Sequence, residues 1–507
     1  MLLEAGADDW NPWLHIPAGY FKTLHNPSTD WCYKTEPDGG INSRSLQWPR
    51  GKVLGGSSSI NGLLYIRGQN SDYDYWRQLG NSGWSAQDVL PYFKRAEDQE
   101  AGGNNFHGTG GPLSVTDMRS RREICEAIIE TAEGLGIPRN NDFNGENQEG
   151  AGYFQLTAKN GRRCSAAVAY LKPIRNRKNL KIVTHAHVRN LIFDKSDRFL
   201  ASGVHFSIKS KLTNAFLKPC GEVILSAGSI GSPQILQVSG VGPESLLNSF
   251  DIPIIKGLDG VGENLQDHLQ IRLVFEVNVP TLNDDINNLI RRGLIGLQYV
   301  LFRTGAMASG ASHVCIFAKT NKHMETPDIQ FHCQPLSADK PGLEMHSFSG
   351  ITLSVCQLRP ESRGRISIQS PDSAVHPKIY PNYLSTTLDQ QTAVAAIKYA
   401  RIIAAAEPLS KFIINEKVPG SHFCSDSELL HVAKNFSQTI YHPVGTCKMG
   451  KDPLSVVDER LCVYGIKSLR VADASIMPSI ISGNTNAPTI MIGEKASDLI
   501  LEDRKRM

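Results

Sequence analysis

The chain has 507 residues, 40% of them apolar and 20% charged, with a formal net charge of +3. That length buries a large core and divides into about two domains. The near-neutral charge, with no dense Lys/Arg run, excludes nucleic acid as the main partner, ten scattered cysteines without a C-x-x-C pair exclude a disulfide framework or zinc site, and no apolar run is long enough to cross a bilayer.

No secretory leader opens the sequence, so a cytoplasmic or peripheral membrane location is expected, with a reducing compartment favoured by the cysteine usage. Residues 2–6, LLEAG, read as the end of a strand closed by an acid and a glycine. A loop-rich stretch with Trp10, Trp13 and Trp31 follows. The aromatic residues of 73–93 read as core, with Ser85 as a helix N-cap and Asp88 completing a capping box. Residues 124–135 have helical periodicity. Residues 180–184, 204–208 and 222–226 read as strands, the last running into a glycine turn and a helix from Ser232. Strand, glycine turn and helix is the grammar of a nucleotide-binding sheet. From Asp285 the apolar residues Ile286, Leu289, Ile290, Leu294, Leu297 and Leu301 keep helical spacing. Strand-like runs at 329–332, 351–358 and 365–368 predict an antiparallel sheet in a second domain, and the alanine-rich 393–406 predicts a helix.

Several stretches carry chemistry. GKVLGGSSSING at 51–62 is a glycine-serine loop whose backbone N–H groups can approach an anion closely. GSIGSPQIL at 228–236 and VGENLQDH at 261–268 are further compact blocks. YHPVGTCKMG at 441–450 holds His442, LRVADAS at 469–475 ends a short apolar strand, and SGNTNAPT at 482–489 holds Asn486. Cys447 lies near His442, but two residues do not make a metal site, and no metal is assigned.

On these blocks, in this order over nearly the whole chain, the sequence resembles the glucose–methanol–choline (GMC) family of FAD-dependent oxidoreductases. From Tyr383 onward it most resembles choline dehydrogenases and bacterial alcohol dehydrogenases. The resemblance implies an α/β fold: a discontinuous Rossmann-like FAD-binding domain with an inserted α+β substrate domain built on an antiparallel sheet. The expected divisions are 1–270, 271–440 and 441–507, the last returning to the FAD domain with a catalytic pair. By motif match that pair is His442, as general base, and Asn486. The family match also implies FAD contacts at Glu4, Ser57, Asn61, Gly62, Leu64, Val188, Asp473, Ala474, Pro488 and Thr489. Residues 57–68 contain no histidine, so the FAD is expected to be non-covalent.

The implied reaction is oxidation of an alcohol to the aldehyde or ketone. Electrons pass to a quinone-like or dye acceptor in a dehydrogenase, or to dioxygen in an oxidase, which the sequence scarcely separates. Choline is the substrate suggested by the resemblance. His268 is expected to fix a loop, and His332, His346 and His422 to be structural or on the surface. The sequence contains no G-x-G-x-x-G, and residues 2–6 resemble the end of the family's second strand. The first strand–turn–helix unit, roughly thirty residues, is therefore expected to be absent. A chain lacking that unit is expected to bind FAD weakly or to be an inactive fragment.

Overall fold

The computed structural model describes residues 1–339 and 344–506. The elements used below run in chain order as follows. The first part holds β1 (Leu2–Leu3), α1 (Ala86–Ala96), α2 (Glu123–Gly134), β2 (Gly150–Tyr153) and β3 (Ile182–Val183). Then come β4 (Ala186–Phe193), β5 (Ala201–Ile208), β6 (Lys211–Phe216), β7 (Val223–Leu225) and α3 (Gly228–Val238). The middle of the chain supplies β8 (Leu269–Val277), α4 (Leu289–Phe302), β9 (Val314–Ala318), β10 (Ile329–Gln334) and β11 (Gly350–Gln357). The last part holds α5 (Thr387–Ala405), β12 (Ile413–Val418), α6 (Asp426–Phe436), β13 (Gln438–Thr439), β14 (Leu469–Val471) and α7 (Asn486–Arg506).

The largest sheet has seven strands in the order β12-β8-β11-β10-β9-β2, with β13 also paired to β8, and every pairing is antiparallel. One of its edge strands, β2, comes from upstream of the 271–440 span. Alternation along the strands gives this sheet two unlike faces. Ile271, Leu273 and Phe275 of β8, with Ile351, Leu353 and Val355 of β11, join a fully buried cluster under α2, α5 and α6. The opposite face carries Gln270, Arg272, Gln330, His332, Gln334 and Ser354. Register sets Arg272 beside Ser354 and Ser354 beside His332, so these three form one row across the sheet.

The nucleotide-type part is built from short parallel pairs. β1 pairs with β3 and β7 pairs with β14, and among the described residues these two pairs are not joined to each other. A three-stranded antiparallel sheet, β4-β5-β6, stands beside them. The aromatic stretch of 73–93 is core: Tyr73, Trp76, Trp84 and Phe93 are buried in one cluster with residues of β7, β14 and α7. The capping box forms as expected, with Ser85 Oγ accepting from the Asp88 N–H at 3.3 Å and Asp88 accepting from the Ser85 N–H at 3.0 Å.

The helix after β7 starts at Gly228, four residues before the expected Ser232, because Gly228 itself takes the turn at φ +78°. The 365–368 run forms a separate two-stranded ribbon instead of joining the main sheet. The apolar periodicity after Asp285 forms helix, but Asn288 breaks it into two pieces and its apolar side chains face outward.

Candidate active site

His442 follows β13 on a short return segment, and its placement is fixed from both sides of the backbone. Its own N–H donates to Asp267 at 2.7 Å, and the preceding carbonyl, of Tyr441, accepts from Arg50 at 2.6 Å. Asp267 also accepts from the hydroxyls of Tyr383 and Thr439. Burial pushes the Asp267 carboxyl up to about 6, against the pull of these donors.

The ring of His442 sits in a chain of hydrogen bonds that assigns its tautomer. His268 Nε2 lies 2.9 Å from the Leu358 carbonyl, which can only accept, so His268 carries its proton there. Its Nδ1 then accepts from His442 Nδ1, 3.0 Å away. His442 is left with a bare lone pair on Nε2, and the Asn484 amide donates to it at 3.1 Å. Asn484 Oδ1 in turn accepts from Gln330 at 3.3 Å, which is consistent with that amide orientation. Burial holds the His442 imidazole well below its ordinary range, with His268, His332 and Arg50 adding to the effect. Burial likewise lowers His268 to about 4. Both rings are neutral at pH 7. A neutral imidazole with a fixed Nδ1–H and an available Nε2 is a proton acceptor aimed at whatever lies beyond Nε2.

The polar face of the main sheet borders this chain through Gln330, beside which stands His332. His332 is 2% exposed, stacks on Phe154 and finds no partner for either ring nitrogen among the described residues. Gln330 Oε1, Ser354 Oγ and Arg272 Nε are also buried without partners. The Arg272 guanidinium is buried, meets Gln334 at 3.5 Å, and makes no ion pair among the described residues. Burial lowers its pKa, opposed by the nearby Tyr441 and Tyr20 phenols.

The other expected site residues stand as follows. Asn486 is the first residue of α7, half-buried and two positions past the asparagine that touches His442. Glu4 closes β1, its N–H donating to Val183 at 2.9 Å and its carboxylate accepting from Gly6 at 2.6 Å; burial pushes that carboxyl up to about 7. Ser57 Oγ accepts from Gly51 N–H at 3.1 Å, and Asn61 Oδ1 accepts from Arg163 at 2.6 Å. Gly62 has open space where a Cβ would stand, and Leu64 bridges to Leu156. Val188 lies in β4, its carbonyl accepting from Ser373 at 3.3 Å. Asp473 accepts from Gly228 N–H at 2.8 Å and Ser232 Oγ at 2.6 Å, tying the β14 turn to the start of α3. Ala474 accepts from Gly445 N–H at 3.2 Å, and Pro488 and Thr489 lie in the first turn of α7.

These residues fit FAD in two respects. Gly56, Gly62 and Gly228 present bare backbone to open space, as a diphosphate cradle requires, and Ser475 Oγ beside Asp473 is buried without a partner. The acid at the end of β1 is placed to accept from hydroxyl groups.

Sequence reasoning missed His268, Asn484, Gln330 and His332 as neighbours of the base. His268 holds the His442 ring as well as its loop, and His332 is buried at the site. His346 is half-buried against Ser337 and Asp339, and His422 is exposed. The period-2 pattern of β8 and β10 carried the signal: their polar residues recur on one face of otherwise apolar strands.

Family profiles described as GMC oxidoreductase match residues 15–270 and 360–493. An alcohol dehydrogenase [acceptor] of Pseudomonas putida is 42% identical over 99% of this chain and 90% of its own length. An oxygen-dependent choline dehydrogenase of Proteus mirabilis is 41% identical over 99% of this chain and 90% of its own length. Among solved structures, an Aspergillus oryzae formate oxidase studied for FAD modification superposes with a TM-score of 0.91 at 25% identity, over 99% of this chain and 94% of that one.

Proposed function

This chain belongs to the GMC oxidoreductase family, an FAD-dependent enzyme acting on CH–OH groups, and from that premise we propose that His442 Nε2 is the general base of alcohol oxidation. Oxidising an alcohol requires a base for the hydroxyl proton and an acceptor for the hydride on the adjacent carbon. Bound FAD supplies the hydride acceptor, which no side chain can. The protein's own residues do the rest. The observation that carries the reading is the tautomer chain Leu358–His268–His442, which leaves Nε2 deprotonated and facing Asn484. As the hydroxyl takes the Nε2 lone pair, the Asn484 N–H is released within reach of the same oxygen and can hold the developing alkoxide. The resemblance gives that role to Asn486.

The test compares His442→Ala, Asn484→Ala and Asn486→Ala for FAD content and dye-linked turnover. His442→Ala keeps its flavin and loses turnover by about 10²- to 10⁴-fold; retained turnover removes it from the base role. Damage confined to Asn486→Ala returns the alkoxide role to Asn486.

Electrons leave through a non-oxygen acceptor in this reading, supported by the likeness to the acceptor-dependent Pseudomonas enzyme. Measuring peroxide release beside dye reduction tests it. For the substrate we favour a neutral or anionic alcohol over a quaternary ammonium. A quaternary cation needs a carboxylate or an aromatic cage. The polar face near His442 offers instead a buried guanidinium, Arg272, with no counter-charge among the described residues. A panel of choline, aliphatic alcohols and hydroxy acids, read as kcat/KM with Arg272→Met alongside, tests this. A preference for choline that Arg272→Met leaves unchanged overturns it.

A further inference from the structure

α4 is too short to cross a membrane, and among the described residues nothing covers its apolar side. Leu289, Ile290, Leu294, Leu297, Val300 and Leu301 are between 54% and 76% exposed, and Phe302 at its end is 69% exposed. Only Tyr299 is buried, its hydroxyl donating to Gly161 at 3.1 Å. At 100° per residue the six aliphatic side chains fall within an arc of roughly 140°. Arg291 and Arg292 lie about 60° beyond the two ends of that arc, one on each side, and Arg303 caps the helix C-terminus. Isolated exposed apolar side chains are ordinary, but a contiguous stripe on one helix marks an interaction surface.

We propose that α4 docks this enzyme on the surface of a bilayer containing anionic lipid, lying in the interface plane with its aliphatic arc among the acyl chains. The charge pattern favours lipid over a second copy of this chain. In a parallel two-fold contact through the stripe Arg291 and Arg292 would meet their own copies, and in an antiparallel one they would meet the end of the second helix that Arg303 caps, so either arrangement sets like charges together. On a bilayer the same arginines reach outward from the apolar arc to anionic headgroups while their stems stay on the helix. Asp285 answers only part of this charge, lying 3.7 Å from Arg291 and pairing more closely with Arg122. The proposal is independent of the catalytic reading, since it concerns a face that bears none of the site residues.

The experiment is vesicle flotation of the full chain with phosphatidylcholine alone and with phosphatidylcholine containing phosphatidylglycerol, with sedimentation velocity in parallel. The chain is expected to float with the anionic vesicles, less with neutral ones, and less as salt is raised. Leu294→Glu/Leu297→Glu/Leu301→Glu should reduce flotation by about tenfold or more while leaving the melting temperature and flavin content unchanged, because those side chains already face water. Arg291→Gln/Arg292→Gln should remove the difference between anionic and neutral vesicles. The proposal falls if the triple variant floats like the parent. It falls equally if the parent stays in the aqueous fraction, whether as a monomer or as a dimer that the triple variant splits.

Discussion

Replacing His268 by phenylalanine removes the acceptor that holds the proton of His442 on Nδ1. The ring of His268 is fully buried, and its two nitrogens are spent on Leu358 and His442. Phenylalanine fills the space and leaves a buried N–H without a partner. Such a group costs about 1–3 kcal/mol. His442 escapes that cost by moving its proton to Nε2, where it can donate but no longer accept. The turnover-competent tautomer is then disfavoured by the same amount, about five- to 150-fold in rate.

The assay is steady-state dye reduction with a primary alcohol, kcat and KM resolved separately from pH 6 to 9. His268→Phe should lower kcat by that factor with KM changed little, since the groups touching the substrate remain. His268→Gln offers an acceptor to His442 and a donor to Leu358, and should recover most of the loss. If His268→Phe keeps kcat within a factor of two, or if the glutamine variant is as impaired as the phenylalanine one, the tautomer argument is wrong.

Arg67 is buried against Glu97 at 2.7 Å, and His107, raised to about 9 against burial by its hydrogen bonds to Asp142 and Glu97, stays 3.0 Å from the same carboxylate, so Arg67→Met removes one of two cationic partners and should destabilise the fold by about 1.5–3 kcal/mol in urea unfolding. Asp267→Asn keeps the shape but turns one acceptor oxygen into an amide donor facing a hydroxyl or the His442 N–H; kcat should fall with the melting temperature, and an unchanged kcat would separate Asp267 from the site. His332 is neutral when folded, its pKa held at about 3 by burial, and returns to its ordinary range when unfolded. The unfolded chain therefore binds the extra proton, and stability is lost as pH falls below about 6.5. His332→Gln should shrink the stability difference between pH 7 and pH 5 by about 2 kcal/mol.

Much of the fold was legible because it rests on local patterns. The strand–glycine–helix run at 223–238 and the capping box at Ser85 are local, and the two-faced strands of the main sheet announce themselves by alternation. The site was legible only in part. His442 stood out in its block, but its partner His268 lies 174 residues away and meets it through the sheet, a contact no spacing rule encodes. Asn484 and Asn486 differ by two positions in one loop, and only the turn entering α7 decides which side chain reaches the imidazole. α4 formed as its spacing indicated, but its surroundings were not legible. An apolar stripe at helical spacing ordinarily faces a core, and the sequence carries no mark of what covers it.

The same sheet explains how polar groups without protein partners among the described residues are held in place at the site. Each costs about 1–3 kcal/mol only where neither water nor substrate meets it. The other face gathers Ile271, Leu273, Phe275, Ile351, Leu353 and Val355 under three helices, and each such side chain contributes roughly 1.5–3 kcal/mol on full burial. Because the two sets alternate along the same strands, the apolar face holds the polar one in register. Arg272, Ser354 and His332 cannot drift to find partners without moving residues packed behind them. Rigidity behind the sheet thus fixes the placement of its front, and a pre-positioned polar front is what a polar alcohol can bind. Substitutions that relieve that face with apolar side chains should therefore trade binding for stability, whereas cavities cut into the opposite face should damage both.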